Sequence, residues 1–445
     1  MSALKIPLRV VNSTLRLLPS TNILRQAGWL AVAKIVQGVA SIAATLAVAR
    51  HLGPAEFGLL SLASAIALFV GSAASLGLEQ IATRELSTAD PFRHPPMLSV
   101  LRRMRVIGAL LGCTVLLAIT LTPNARGYGV SSLLLILCLL PFAQVGDLAE
   151  WRLIAAGRSR RVAFATALSS PLAALARLAF ALTDAGVAVF TWLLVGEWAL
   201  RSLLLALSSR DRNLIAPESE PILLASALPL LRDSLPLLLS GIAVFVYMRI
   251  DQFMIAALLG PREVGLYSAI VALAEVPLVL PALLLRAALP ILTRQSEADP
   301  FLRDQTLTSL MRNGFYLHLV IALIAAAFAK PLVELLYGPT FAASAQALGI
   351  LVLAAPFVAL GVLSSSWLVL ERRTGHALRR TMVGAVLNVV LNLFFIPRFG
   401  VAGAAAATLA AQVTATYLID AFHPQTRALF HMKNRALFPR FRSGT

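Results

Sequence analysis

Eight ionisable residues fall inside long apolar stretches of the sequence: Lys34, Arg177, Glu197, Arg201, Arg249, Asp251, Glu275 and Arg286. A charge held in hydrocarbon costs roughly 2.5–3.5 kcal/mol on insertion scales unless it faces water or a partner. Such residues therefore mark a wet cavity or an ion pair. Arginine suits the cavity role when the guest is an anion. Its planar fork grips phosphate or carboxylate oxygens in pairs and keeps its charge. Lys34, Arg177, Arg249 and Arg286 are thus candidate cavity cations, and Arg50 at the end of the first apolar segment is a fifth. Glu197, Asp251 and Glu275 are candidate ion-coupling or structural acids.

Each residue also has a plainer reading. Lys34 lies a third of the way along its segment and can snorkel to an interface. Glu197 and Arg201 are i,i+4 neighbours able to neutralise each other. Arg249 and Asp251 are two residues apart and so face different ways on a helix, leaving Asp251 free to act as a strut to another helix. Glu275 can pair with Arg249 or Arg286, and Arg286 lies near its segment's inner end. Arg50 can be an ordinary helix C-terminal charge. Arg177 has no partner close in sequence. His318 fits a satisfied core histidine better than a proton relay. Asn388 and Asn392, also i,i+4, fit interhelical hydrogen bonding or sugar contact.

Enzyme signatures are missing. No Gly-Lys-Ser/Thr loop could cradle a nucleotide, and no His/Cys/carboxylate group has metal-ligand spacing. The expectation is no catalytic residue, no metal and no cofactor. Cys113 and Cys138 sit in apolar segments and read as reduced small hydrophobes. The first 24 residues lack an apolar core with a small-residue cleavage site, so the first span is expected to be an uncleaved anchor.

The elements that would position these groups follow from composition. The 445 residues are 58% hydrophobic and only 13% charged, with a mean hydropathy of +0.82. A soluble domain carries nearer a quarter charged residues. About twelve apolar segments, each long enough to cross a bilayer, fall near Ile23–Ala49, Phe57–Leu78, Met104–Thr122, Ser131–Ala149, Val162–Thr183, Val187–Leu207, Ser234–Leu258, Leu266–Leu292, Phe315–Tyr337, Ala345–Leu370, Thr381–Ile396 and Val401–Phe422. They are too long and too evenly apolar for barrel strands. The expected fold is an all-α polytopic membrane protein.

Charge patterning supports the count. Of 38 Lys and Arg, only Arg50, Arg126, Arg262, Lys330 and Arg398 fall on the odd-to-even connections. Apart from those inside the apolar segments, the rest lie on the other set of loops and the two tails. That asymmetry puts both termini in the cytoplasm, with short outer loops. The net charge of +17 is therefore a topology signal. No basic run with interleaved aromatics suggests nucleic acid. The longest inner loops are 79–103 and 208–233. The second reads as a linker ending in a short interfacial helix over 222–231. The expected organisation is a six-helix bundle over 1–208, a cytoplasmic linker over 209–233, a second six-helix bundle over 234–422 and a basic cytoplasmic tail over 423–445.

The halves share a signature. Leu52-Gly-Pro-Ala-Glu-Phe-Gly-Leu-Leu-Ser61 follows the first segment, and Leu259-Gly-Pro-Arg-Glu-Val-Gly-Leu-Tyr-Ser268 follows the seventh, with seven of ten positions identical. Each reads as a helix stop followed by a helix start. An even number of spans separates the copies, so both face the same side: a parallel repeat, which places a site between the halves.

These motifs also resemble a known family. Arg25-Gln-Ala-Gly-Trp29, Ala49-Arg-His-Leu-Gly-Pro-Ala-Glu-Phe-Gly-Leu59, Leu76-Gly-Leu78 and Arg84-Glu-Leu86 resemble the N-terminal half of the oligosaccharide (O-antigen type) flippases. Tyr247-Met-Arg-Ile-Asp251, Val264-Gly-Leu-Tyr-Ser268, Leu336-Tyr-Gly-Pro339, Asn388, Asn392 and Ile396-Pro-Arg-Phe-Gly400 extend the likeness over roughly residues 22–420. That family lies in the multidrug/oligosaccharidyl-lipid/polysaccharide exporter superfamily. The resemblance implies two six-helix bundles around a central cavity, alternating access, and a polyprenyl-diphosphate-linked oligosaccharide as cargo in a bacterial inner membrane. It implies membrane lipids, a polysaccharide polymerase and export machinery as partners. The rival expectations are a drug/cation antiporter of the same superfamily, which would want an acidic cavity, and a non-catalytic scaffold of polysaccharide assembly. A polymerase or ligase is disfavoured by the short outer loops.

Overall fold

The computed structural model describes residues 21–88, 94–209 and 227–438, and these are helical throughout, with no strand among them. The helices used below are α1 (Thr21–Ala74), α2 (His94–Thr120), α3 (Ser159–Ala181), α4 (Val187–Ser208), α5 (Ala227–Leu259), α6 (Pro261–Glu275), α7 (Val279–Ala298), α8 (Pro300–Ala327), α9 (Ala329–Tyr337), α10 (Ala355–Leu370), α11 (Thr374–Thr416) and α12 (Arg427–Leu437).

Among the described residues, ten helical runs are long and apolar enough to cross a membrane. Two of them, Gly28–Ala74 and Thr374–Phe422, contain 47 and 49 residues, about twice the 20 that one crossing needs. Both are broken by a glycine with non-helical backbone, Gly53 in α1 and Gly400 in α11. The α11 break is a reversal. Gly403 packs directly on the Phe395 carbonyl, and Arg380 reaches Asp420 at the far end. Counting each broken run twice gives the twelve crossings expected from the sequence.

The α1 break and the α5–α6 junction show how the repeated motif works. Gly53 has φ +70° and Gly260 has φ +99°, a region that a Cβ disfavours. Pro54 and Pro261 follow. Proline has no amide hydrogen to leave unsatisfied and a φ preset for a helix start. The chain therefore stops one helix and begins the next without a loop. We call this the hairpin end of the bundle; the opposite end, where α1 starts and α12 lies, is the tail end.

Three elements differ from the sequence expectation. The ninth span begins at Pro300, not Phe315, and stops at Ala327. Asp299 caps it, its carboxylate accepting from the Phe301 and Leu302 amides at 2.9 and 3.2 Å. The early turns are polar, so hydropathy misses them; buried Arg303 there pairs with Glu371 at 2.9 Å. Ala329–Tyr337 is a separate helix. The first half of the expected interfacial helix, 222–226, lies outside the described residues, and from Ala227 onward the chain is already α5. The described part of the tail includes a helix, Arg427–Leu437. α12 tucks Leu429, Met432, Ala436 and Leu437 against Leu307, Met311, Leu363 and Trp367.

The largest apolar core joins both halves at the hairpin end. Val48, Ala49, Phe57 and Leu62 pack there with Val264, Leu266, Tyr337 and Phe341. Near the tail end, the halves meet on one flank, where Leu230 of α5 joins Leu78, Ile81, Leu86 and Trp151.

Candidate functional site

Beneath the hairpin-end core lies a cavity of about 370 Å³. One stripe of the first arm of α1 (Ser41, Ala44, Thr45, Val48) faces its second arm (Phe57, Leu60, Ser61, Ser64). α3 and α4 add Arg177, Phe190 and Glu197. α5 and α6 add Phe245, Arg249, Gln252, Ser268 and Glu275. The walls thus come from both copies of the repeat, as its parallel symmetry implies.

Two of the five candidate cations, Arg177 and Arg249, line this hollow, and so do two candidate acids, Glu197 and Glu275. They are paired. The Arg177 guanidinium donates to Glu197 at 2.7 Å, with side chains 14% and 19% exposed. Arg249 lies 3.5 Å from Glu275, a looser pair at 32% and 39% exposure. The lining therefore carries two arginines and two glutamates, with no excess of basic residues. Serine, threonine and glutamine side chains supply neutral hydrogen-bonding groups between the pairs, and Phe57, Phe190 and Phe245 supply flat apolar faces.

The other candidates lie elsewhere. Lys34 is exposed on α1 and donates to Gln37 at 3.0 Å. Residues 34, 37, 41, 45 and 48 share one helix face, so Lys34 continues the cavity stripe toward the tail end. Arg50 is at the hairpin end, its guanidinium 3.4 Å from the Leu335 carbonyl of the other half. Arg286 is exposed on α7 and does not line the cavity. Glu197 and Arg201 do not neutralise each other. Arg201 turns instead to Asp147, at 3.2 Å, and to Glu150. Buried Arg105 joins this cluster at 3.6 Å from Asp147, donates to the Gln144 carbonyl at 2.6 Å, and stacks on Trp151. Sequence reasoning missed the cluster because Asp147 and Glu150 sit at the end of an interrupted apolar run.

Asp251 faces a second, smaller cavity of about 110 Å³ between α5, α6 and α11. It is 5% exposed. Tyr267 Oη donates to it at 2.6 Å, Asn392 Nδ2 at 2.6 Å and Thr408 Oγ1 at 2.6 Å. Asn392 also donates to Asn388 Oδ1 at 3.0 Å. No Lys, Arg or His among the described residues bridges to Asp251. The Asn392 Oδ1 oxygen is buried with no hydrogen-bond partner. A carboxylate surrounded by neutral donors beside an orphaned oxygen still lacks a positive partner. Glu275 lines this cavity too, so it stands between the small cavity and the central one. His318 is fully buried between the Gly314 and Pro277 carbonyls at 2.7 and 3.1 Å.

The geometry defines a class: a multi-pass membrane protein whose two repeated halves enclose a polar, charge-paired hollow. Comparison makes that specific. The chain belongs to the polysaccharide biosynthesis protein family, whose family model matches residues 23–296. The MatE family model matches residues 236–394. No curated protein matches the sequence significantly. Among solved structures, a multidrug resistance MATE family transporter of the MOP superfamily, in an inward-facing conformation, aligns with TM-score 0.72 and 16% identity, covering 90% of this chain and 96% of that one. The lipid II flippase MurJ, in an inward closed conformation, aligns with TM-score 0.66 and 11% identity over 92% and 90%. A MOP superfamily transporter from Pyrococcus furiosus, described as having a binding pocket of reverse polarity, gives 0.62 and 15% over 93% and 96%. The fold is that of the MOP-superfamily transporters and flippases.

Proposed function

We propose that the protein moves a lipid-linked oligosaccharide carrying a polyprenyl diphosphate from the inner to the outer leaflet of a bacterial inner membrane. In this reading the hairpin end faces outward and both tails are cytoplasmic, as the loop charges suggest. The two bundles, joined through the 209–233 segment, rock to expose the hollow to each side in turn. Assembly machinery for surface polysaccharide, including a polymerase, would then act on the exported glycan.

The observation that carries the reading is the pairing of Arg177 and Arg249 with glutamates inside a hydroxyl-lined hollow. An incoming phosphate can take over an arginine fork, and the released carboxylate becomes an acceptor for sugar hydroxyls. The polyprenyl tail stays in lipid, so only the diphosphate and glycan need a polar route. The inside-negative membrane potential favours that direction. It is worth about 2.3 kcal/mol per charge per 100 mV, hence on the order of 4–5 kcal/mol for two outward-moving negative charges.

Asp251 would serve as the coupling group. Its carboxylate, the Asn388 and Asn392 carbonyls and the Thr408 hydroxyl are hard oxygen donors suited to a proton or a small monovalent cation. A second reading, a drug/cation antiporter, is favoured by the equal number of glutamates and arginines in the hollow. The deciding experiment reconstitutes the protein in vesicles with a fluorescent polyprenyl-diphosphate oligosaccharide and, separately, with cationic dyes. Leaflet exchange of the glycolipid that accelerates under an imposed potential supports the first reading. Dye efflux without glycolipid movement replaces it with the second.

A further inference from the structure

Two glycines in the repeated motif have no conformational need to be glycine. Gly58 and Gly265 sit within helices at ordinary negative φ, unlike Gly53 and Gly260, which lie five residues earlier in the turns before those helices. What they do instead is touch. A Cβ on Gly58 would collide with the Pro261 carbonyl and lie 2.9 Å from the Gly265 amide nitrogen. A Cβ on Gly265 would collide with the Pro54 carbonyl and lie 2.9 Å from the Gly58 amide nitrogen. The obstacles are backbone atoms of a helix start, which cannot swing aside.

The contact is reciprocal. Pro54 corresponds to Pro261 and Gly58 to Gly265 in the repeat, so one helix start meets its own copy across the pseudo-two-fold axis, as in an isologous dimer interface. With no side chain between them, the backbones approach closely enough for Cα–H to carbonyl contacts. The crossing forms the roof of the central cavity. Phe57, the residue before Gly58, lines the hollow and meets Phe341 edge-on at 6.3 Å. Ser61 and Ser268, one turn below each glycine, line it as well.

We propose that the Gly58–Gly265 crossing is the gate of the hairpin end, and that the missing side chains set how often it opens. The inference rests on the two-sided access described under the proposed function. A methyl group at either position forbids the closed crossing and leaves a state with separated helix starts untouched. The penalty falls on one conformation only, so the population shifts toward the open one.

The test reads conformation, not transport. In a chain with Cys113 and Cys138 replaced by alanine, Ser61→Cys is labelled with a membrane-impermeant maleimide added on the hairpin-end side. Gly58→Ala and Gly265→Ala should each raise the labelling rate about tenfold or more, with a folded, monodisperse protein. Unchanged rates in folded variants would overturn the proposal. So would loss of folding in both, because the crossing would then be required in every state. A second measurement leaves the glycines intact. Spin labels at Ala55→Cys and Arg262→Cys, both exposed beside the crossing, should show a short and a long distance. A single short distance under every condition of pH and sodium would refute the gate. A protein that shows the conformational shift yet moves no lipid keeps the gate and loses the transport reading.

Discussion

Breaking the Arg177–Glu197 pair offers the sharpest test of how the hollow is built. The two side chains are less than one-fifth exposed and 2.7 Å apart, so solvent screens them only partly. At an effective dielectric near 20, unit charges about 4 Å apart attract by about 4 kcal/mol, partly offset by the desolvation both groups already bear. Arg177→Gln strands a glutamate in the wall, and Glu197→Gln strands an arginine. Each single change should lower stability by about 2–4 kcal/mol, near the lower part of the range for a half-broken buried pair because the cavity still admits water. The double substitution should recover much of the loss, giving a coupling of about 1–3 kcal/mol. Unfolding of the four proteins in one detergent, compared as a cycle, measures this. Function should split where stability does not. On the proposed function, Arg177→Gln would remove a charged hydrogen bond to the headgroup worth about 1.5–3 kcal/mol, or about 10–100-fold in transport efficiency. Glu197→Gln frees the fork and should tighten binding of a diphosphate headgroup. A coupling near zero would refute the pair. Parental transport by a folded Arg177→Gln protein would refute arginine as the headgroup ligand.

Three further outcomes follow from the same geometry. Asp251→Asn keeps the size of the side chain, exchanges one acceptor oxygen for a donor that the Tyr267 and Thr408 hydroxyls can turn to accept, and removes the ionisable group; any dependence of transport on pH or sodium should vanish while the protein stays folded, as vesicle assays with and without each gradient would show. Lys433, on α12 outside the spans, is fully buried against Asp420, Arg380 and the Thr416 carbonyl; burial, with Arg380 adding to it and Asp420 opposing, pulls its ammonium from 10.5 down to about 7. The undocked lysine holds its proton up to about 10.5, so docking of α12 should strengthen as pH rises from about 7 to 10.5 and level off below. Hydrogen exchange across Arg427–Leu437 checks this, and Lys433→Met should flatten the profile. Arg286→Ala, on an exposed face away from the hollow, should leave glycolipid binding within about twofold of the parent in a direct binding assay.

The spans were legible because lipid imposes a long, uniform apolar signal, and the Gly-Pro motif betrayed the repeat because helix reversal has few chemical solutions. Side-chain partners were not. Glu197 lies next to Arg201 along its own helix, yet Arg177 on the neighbouring helix reaches it first, and Arg201 finds two carboxylates on another segment. Pairing across helices depends on rotation about each axis, which one sequence does not encode locally. Asn388 and Asn392 were visible as a polar pair, and Asp251 as a lone acid; only packing brings them together. α12 carries an apolar stripe, with Leu429, Met432 and Ala436 at helical spacing, but the charges around that stripe mask it. The helix over Pro300–Ala327 was half hidden because its polar turns are capped and ion-paired, and hydropathy records neither.

The balanced charges of the central hollow bear on the energy of a full cycle. In the proposed cycle the two arginines and two glutamates would travel together, so these pairs add no net charge to the stroke on which the empty carrier resets. Voltage would then act on the loaded stroke through the cargo, and on the homeward stroke only through what Asp251 carries. Such an arrangement leaves a single carboxyl group to decide how much of the field's work is given back.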